Sequence, residues 1–404
     1  MRILLVGAGG VGAAFCGIAA RRDFFEQIVV ADYNPDKAQL AAASDPRFTP
    51  AQVDASNAAS VTALASEHGV THVMNAVDPR FVTSIFDGAF GAGADYLDMA
   101  MSLSQPHPEQ PHSRTGVMLG DYQFAKSAEW ERAGRLALVG MGVEPGLSDV
   151  FARYAADHLF SEIAELGTRD GSNLTVDGYD FAPSFSIWTT IEECLNPPLV
   201  WERDRGWFTT EPFSEPEMFD FPDGIGTVDC VNVEHEEVVL MPRWVEAQRA
   251  SFKYGLGNEF IEMLKALHKL GLDRTEKVKV GAVEVSPRDV VAACLPDPAT
   301  LGDKMRGKTC AGLWITGTGK DGRPRSTYLY HVVDNEWTMR EYGHQCVVWQ
   351  TAVNPVVALE LIAAGVWSGA GVLGPEAFDS VPFLELLKGQ APKGYDSPWG
   401  QREQ

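Results

Sequence analysis

Arg2-Ile3-Leu4-Leu5-Val6-Gly7-Ala8-Gly9-Gly10-Val11-Gly12 opens the chain and decides its architecture. Residues 2–6 form a continuous apolar run, as in a strand covered on both faces of a parallel sheet. Residues 7–12 spell G-x-G-x-x-G, and 11–22 have helical character. Such a glycine pattern is weak by itself. Here it joins a buried strand to a helix, and Asp32 ends the next apolar strand 20 residues after Gly12, which is the context of a dinucleotide-binding turn. Gly7 permits the tight turn, Gly9 lets the backbone approach a pyrophosphate, and Gly12 lets helix and strand pack closely. With Gly10 and Val11 they bring a helix N-terminus, with its amide hydrogens and partial positive charge, to the phosphates.

Asp32 is placed to accept hydrogen bonds from the adenosine ribose, and its charge repels the extra phosphate of NADP. Tyr33-Asn34 offer no Arg to neutralise that phosphate, so NAD is the expected cofactor. NADP stays open through Lys37 or a loop Arg.

Outward from this turn, strand-like and helix-like stretches alternate over the first 125 residues. Expected strands are 28–31, 48–53, 72–77 and 96–99, with helices at 36–43, 58–68 and 81–92 between them. Such βαβα alternation predicts an α/β, doubly wound parallel sheet of the Rossmann type. Residues 102–120 read as a long loop, 121–134 as a helix and 135–139 as a short strand. From about 163 to 350, short β-like segments (162–167, 237–241, 277–285, 312–316, 326–333) mix with amphipathic helices at 258–270 and 287–295, an α+β pattern. The apolar helix 353–364 is expected to pack back on the first domain. The division is therefore 1–125 with 352–404 for the dinucleotide-binding domain and 126–351 for an α+β substrate and dimerisation domain.

The chain has 404 residues and an ordinary globular composition, 45% hydrophobic and 22% charged, which excludes disordered and fibrous classes. With 55 acidic against 33 basic residues its net charge is −22, which disfavours nucleic acid and anionic membranes as partners. The N-terminus has no signal-peptide pattern and no unbroken apolar run reaches membrane-spanning length, so a cytoplasmic location is expected. The six cysteines are scattered, with no C-x-x-C pair, and the histidines form no H-x-x-H, so neither disulfides nor a metal site is expected. Gly302-Asp-Lys-Met-Arg-Gly307-Lys308-Thr309 matches G-x-x-x-x-G-K-T, but Pro296 and Pro298 precede it and a β-like run follows, so it reads as a surface loop. No G-x-S-x-G nucleophile elbow occurs.

Gly7–Gly12, Asp32, Tyr96-Leu97-Asp98 and Gly142-Val-Glu-Pro-Gly146 together resemble the saccharopine dehydrogenase-like oxidoreductases. That family includes saccharopine reductases, carboxynorspermidine dehydrogenase and lysine 6-dehydrogenase. Leu295-Pro-Asp-Pro298, Thr309-Cys-Ala-Gly-Leu-Trp314, Lys320-Asp-Gly322 and His344-Gln345 are most similar to the carboxynorspermidine branch. Lys253-Tyr254, running on into Phe260 and Leu270-Gly271-Leu272, resembles the saccharopine reductase branch. Residues 172–235 depart from each pattern. The resemblance implies NAD(P)-dependent hydride transfer at a C–N bond, either imine reduction or amine oxidation, in lysine metabolism or polyamine biosynthesis. It also implies a return of the C-terminal helix to the first domain, and a homodimer. A lysine 6-dehydrogenase-like amine oxidation and a non-catalytic dinucleotide-binding regulatory protein remain as alternatives.

Ligands of a doubly wound sheet bind at the carboxyl ends of its strands. Asp54, Asn75, Ala76 and Asp78 are therefore cofactor candidates. Asp98, also at a strand end, either contacts the substrate or nicotinamide ribose or caps a turn. By its match to an acidic position of the family, Glu144 is a candidate acid/base or amine ligand. Arg249 and Lys253, four apart, either bind a substrate carboxylate or form a solvated face. Trp188 and Thr189, with Ser186, either line a pocket or pack in the interior. His344 is a candidate proton shuttle or a structural histidine.

Overall fold

The computed structural model describes residues 1–403. Its first sheet contains β1 (Arg2–Val6), β2 (Gln27–Asp32), β3 (Phe48–Gln52), β4 (His72–Asn75), β5 (Asp95–Asp98), β6 (Leu136–Leu138) and the strand Gly371–Leu373. All pair in parallel, in the order β3-β2-β1-β4-β5-β6 with Gly371–Leu373 at the edge. β1 lies between β2 and β4, with Val6 opposite both Ala31 and Asn75. The winding direction reverses there, so a crevice opens beyond the carboxyl ends of β1 and β4.

Helices α1 (Gly10–Ala19), α2 (Pro35–Ala42), α3 (Ala58–Glu67) and α4 (Val82–Gly91) make the crossovers. Local chemistry starts two of them. Asn34 Oδ1 accepts from Asp36 N at 2.9 Å with Pro35 in the first turn, and Asn57 Oδ1 accepts from Ala59 N at 3.0 Å. The 18-residue helix Cys346–Ala363 packs against α1. Its length and mean hydropathy of 1.5 would suffice to cross a membrane, but 78% of it is buried within the fold. It is a core helix that starts seven residues before the expected 353, because Gln350 and Thr351 interrupt the apolar run ahead of it.

The second sheet has nine strands. Phe160–Ser172 runs through its centre, antiparallel to Lys308–Gly319 on one side and parallel to Arg249–Gly255 on the other, with Tyr254 beside Asp170. Pro324–Asp334 and Gly400–Glu403 extend one side; Leu199–Glu202, Gly206–Thr209 and the hairpin Glu217–Phe221/Gly226–Asn232 extend the other.

The α/β and α+β classes are as expected, but the division of the chain is not. Leu136–Leu138 pairs with β5 and so carries the first domain past residue 126, while Gly400–Glu403 pairs with Pro324–Asp334 in the second sheet. Residues 237–241 were expected as a strand and form the start of the helix Glu237–Trp244. Val238, Val239, Leu240 and Met241 are all buried, and a short run apolar on every side carries no periodicity to separate strand from helix. Residues 277–285 form a hairpin, Val278–Val280 with Val283–Val285. In the G-x-x-x-x-G-K-T stretch, Lys308 begins a strand rather than a helix, so no phosphate loop is built.

Candidate functional site

The glycine turn is held by contacts that leave it no slack. Gly7 has φ +104°, and a Cβ there would lie 2.5 Å from Ala76 O. A Cβ on Gly12 would lie 2.0 Å from Gly7 O. Gly9 is different: nothing lies within 4 Å of a Cβ built there. The first bond of α1 runs from Ala13 N to Gly9 O at 2.8 Å, so the amides of Gly10, Val11 and Gly12 precede the helical ladder. Asp32 accepts from Ala8 N and Asn34 N, each at 2.8 Å, and ties the turn to the end of β2. An open backbone face at a helix N-terminus, with a carboxylate at the next strand end, fits a dinucleotide pyrophosphate and ribose. Asp54 stands on the same rim, exposed, accepting from Ser56 N at 3.0 Å.

From this turn a cleft of about 1350 Å³, counting the solvent at its mouth, runs between the two domains. The first domain contributes Gly9–Val11, Asn75–Pro79, Met99, Ala100 and the loop Val143–Pro145. Asn75 donates to Tyr96 Oη at 3.0 Å and accepts from Val77 N at 3.0 Å, and Asp78 accepts from Arg80 N at 3.0 Å. The second domain contributes Asp170, Ser186, Thr189, Glu193, His235, Glu236 and Tyr254. Among the described residues no Lys or Arg lines the cleft, whereas Asp78, Glu144, Asp170, Glu193, Glu236 and Asp297 do.

The inner end of the cleft is an acidic well around one histidine. His235 Nδ1 lies 2.5 Å from Glu237 Oε2 and 3.4 Å from Glu236 Oε2. Burial alone would lower the His235 pKa, but Glu237, Glu236 and Glu193 outweigh it and raise it to about 10, so the ring is an imidazolium. Burial pushes Asp170 up to about 7 and Glu193 up to about 8, with His235 opposing in both cases. Glu144 is raised well above the carboxylate range, first by burial and then by its bond to Glu237. Burial would raise Glu237 too, but the His235 charge and hydrogen bonds from Glu144 and His235 hold it low. Perturbed acids converging on a cleft can bind cations and move protons, which makes this a candidate site.

The structure brings Gly9, Gly10, Val11, Asn75, Ala76, Asp78, Glu144 and Thr189 to this cleft. It places five other candidates elsewhere. Asp98 is fully buried, accepting from Tyr96 Oη (2.9 Å), Gln123 Nε2 (2.7 Å) and Gly140 N (2.7 Å), and so fastens β5 to the strand after it. His344 packs against α1, its Nε2 3.2 Å from the position of a Gly17 Cβ. Arg249 lies outside the cleft and pairs with Glu202 and Glu215, each at 2.7 Å. Lys253 is buried against Glu217 (2.6 Å), which also binds Arg169, so neither cation is free for a substrate. Trp188 points away, donating to Asp289 Oδ1 at 3.1 Å beneath the guanidinium groups of Arg80 and Arg288. Sequence reasoning missed Asp170, Glu193, His235, Glu236 and Tyr254. The consecutive run His235-Glu236-Glu237, at the edge of the stretch that departs from the family, was the one local sign.

Two family models match the chain almost end to end. Residues 3–138 match the saccharopine dehydrogenase NADP binding domain and 142–391 the saccharopine dehydrogenase C-terminal domain. The gap between them falls between β6 and the Glu144 loop. Among curated relatives, carboxynorspermidine synthase of Vibrio alginolyticus is 30% identical, covering 96% of this chain and 94% of that one. Carboxyaminopropylagmatine dehydrogenase of Synechocystis sp. is 29% identical, covering 96% and 95%. Among solved structures, apo saccharopine dehydrogenase (L-Glu forming) from Saccharomyces cerevisiae is 14% identical with a TM-score of 0.70, over 100% of this chain and 99% of that one, which shows a shared fold.

Proposed function

The chain belongs to the saccharopine dehydrogenase family and is an NAD(P)-dependent oxidoreductase, and we propose that it joins or cleaves the C–N bond of a carboxylated polyamine. The observation that carries this reading is the acidic well. A cleft lined by carboxyl groups, with His235 as its cation, attracts a substrate rich in ammonium groups. It repels one rich in carboxylates, such as saccharopine, and offers more acidic groups than the two amines of lysine would pair with. The names of the two curated relatives, each a carboxylated amine, support the same substrate class.

In this reading the amides of Gly9, Gly10 and Val11 hold the pyrophosphate, Asp32 the adenosine ribose, and Asn75, Ala76 and Asp78 the nicotinamide end, with Asp54 at the outer rim. The bound dinucleotide supplies or accepts the hydride. Glu144 moves the proton at the reacting centre, while Asp170, Glu193 and Glu236 hold the remaining ammonium groups. The hydroxyls of Ser186 and Thr189, at the first turn of the helix Ile187–Leu195, are the donors left for the one carboxylate.

Absorbance of the reduced nicotinamide tests this directly. NADH and NADPH would be offered with carboxynorspermidine, carboxyaminopropylagmatine, saccharopine, lysine and the matching amine–carbonyl pairs. Turnover is expected with a carboxylated polyamine. Turnover with saccharopine or lysine alone would overturn the substrate class.

We also infer that the enzyme works in the cytoplasm as a homodimer. The exposed Leu270, Val278, Val280, Val283 and Val290, in a single surface segment, support a second copy as partner. Sedimentation of the wild type and of Val280→Glu checks it; a monomeric wild type would refute it.

A further inference from the structure

Two buried carboxyl groups meet at the inner end of the cleft. Ser148 Oγ donates to Glu144 Oε1, which leaves Glu144 Oε2 buried with no N–H or hydroxyl donor. His235 Nδ1 donates to Glu237 Oε2 at 2.5 Å, which leaves Glu237 Oε1 in the same condition in a residue only 1% exposed. The two carboxyls are close enough to perturb each other, Glu237 raising Glu144 and Glu144 lowering Glu237. Two buried carboxylates side by side would repel, and an ionised carboxyl only accepts; one proton held by either of them removes the repulsion and supplies a donor. A proton between the two orphan oxygens would satisfy both.

His235 decides which side the proton is on. Its ring lies flat on Phe252, with centroids 4.0 Å apart and planes 6° apart, and is wedged between Glu236 and Glu237. An imidazolium so placed favours the ionised form of the carboxyl it touches, which is Glu237. Glu144, the member of the pair that lines the cleft, is the one left to hold a proton.

Resting on the C–N oxidoreductase reading above, we propose that Glu237 and His235 are positioning residues that keep a proton on Glu144, so that Glu144 meets the substrate as a neutral carboxylic acid. The step served is loss of water from the carbinolamine that forms when amine and carbonyl combine. Glu144 gives its proton to the carbinolamine hydroxyl, the C–O bond breaks, water departs, and the nitrogen lone pair closes the C=N bond. An iminium cation then lies beside a Glu144 carboxylate, so the new charges arise as an ion pair. In the opposite direction the Glu144 carboxylate takes a proton from the water that attacks the iminium carbon. His235 and Glu237 keep their charges throughout.

The other groups around the pair act in one direction. Asp170 and Tyr254 face it from the second sheet, Glu193 from the helix Ile187–Leu195 and Tyr328 from the strand Pro324–Asp334. Glu236 sits beside His235, and Asp149 and Glu376 lie behind Glu237. The groups facing the pair are acidic or neutral, with Arg153 acting on Glu376 behind it, so among the described residues His235 is the cation that touches the pair.

Two measurements test the arrangement. The first is infrared spectroscopy of the free protein near neutral pH, which reads the C=O stretch of a protonated carboxyl. The band is expected in the wild type minus Glu144→Gln difference spectrum. The second is the pH profile of kcat/KM in the reductive direction. Glu237→Gln removes a negative neighbour, so the alkaline limb is expected to fall by about one pH unit or more. His235→Gln removes the cation, so the limb is expected to rise. A merely structural role would not move two neighbouring variants in opposite directions. Absence of the band, shifts of equal sign, or no shift would each overturn the proposal. So would a stoichiometric divalent ion recovered with the purified protein, since His235, Glu236 and Glu237 would then be its ligands. If either variant fails to fold, the infrared result on the wild type decides. A wild type that turns over no amine–carbonyl pair defeats the functional reading instead, and the band still reports on the shared proton.

Discussion

Gly9→Val separates the binding role of the glycine turn from its structural role. Gly9 has φ −72° and ψ −162°, which any residue adopts, and a Cβ there meets nothing within 4 Å. The added side chain therefore costs the fold little beyond a poorer helix cap, about 1 kcal/mol. It projects into the space where a pyrophosphate would approach the first amides of α1. Losing two charge-assisted hydrogen bonds there, at about 1.5–3 kcal/mol each, removes about 3–6 kcal/mol of binding. At about 1.4 kcal/mol per tenfold, the Kd rises by about 10²–10⁴. Gly12→Ala is the contrasting perturbation. Its Cβ would sit 2.0 Å from Gly7 O, so the turn must move and stability falls by about 1–3 kcal/mol. Fluorescence titration with NADH and NADPH, beside thermal melts, reads both effects. The expected pattern is a stable, non-binding Gly9→Val and a destabilised Gly12→Ala. A Gly9→Val protein that binds either dinucleotide with unchanged affinity would refute the assignment of this turn to the pyrophosphate.

Asp32→Gly is expected to shift preference toward NADP by about tenfold or more, since it removes a like-charge contact of about 1–4 kcal/mol from the ribose phosphate. An unaltered NAD:NADP ratio in the same titrations would remove Asp32 from the ribose site. Glu217→Gln leaves Arg169 and Lys253 buried without their shared anion. A fully buried pair broken this way costs about 3–5 kcal/mol, and about 2–4 kcal/mol is expected here because Glu217 is about a third exposed. Urea melts should show that loss with KM unchanged; a raised KM at unchanged stability would return Lys253 to the substrate site. Stability should also fall with rising pH. Asp98, Asp170, Glu234 and Glu376 (each about 7) and Glu193 (about 8) hold protons more tightly than in the unfolded chain, so their contribution declines from about pH 4 to about pH 8. His235 acts in the same sense at higher pH, its contribution complete below about 6.5 and lost through about 10. A melting temperature that is flat or rising between pH 6 and pH 9 would contradict these buried protonated groups.

The first domain was legible because its determinants are local. Residues 2–6, 7–12 and Asp32 lie within one supersecondary unit, and the sequence bounds of β1, β3, α3 and the helix Asn258–Leu270 agree with the structure to within a residue. The second domain was harder, because its sheet is assembled from segments far apart in the chain. β-like patches at 162–167 and 312–316 are fragments of strands of 13 and 12 residues, whose ends are defined by each other rather than by turn residues. The candidate cations failed for a related reason. Arg249 and Lys253 looked like a carboxylate clamp by their spacing and by the family match at Lys253, but on an extended strand residues four apart stand about 13 Å from each other, and each found its own glutamate.

The acidic well could not be read from the chain, and the reason bears on its purpose. Glu144 comes from a loop after β6, Asp170 from the central strand of the second sheet, Glu193 from a helix, and His235 with its two glutamates from the turn before another helix. No periodicity or spacing links these positions, and each alone resembles a solvated acidic residue. Brought together and buried, they oppose folding, since each must hold a proton it would otherwise release or lie beside a like charge. A structural core would gain by replacing them with apolar residues of the same volume. One ionised histidine partly relieves the repulsion, and it does so unevenly, holding Glu237 low while Glu144 stays raised. That asymmetry is what an acid/base site needs and what packing alone would not produce. Under the proposed function the rest of the relief would come from a ligand: an ammonium group entering the cleft would replace protons on Asp170 and Glu193 with a salt bridge. The unfavourable clustering in the free protein and the proposed affinity for a polyamine would then have the same physical origin.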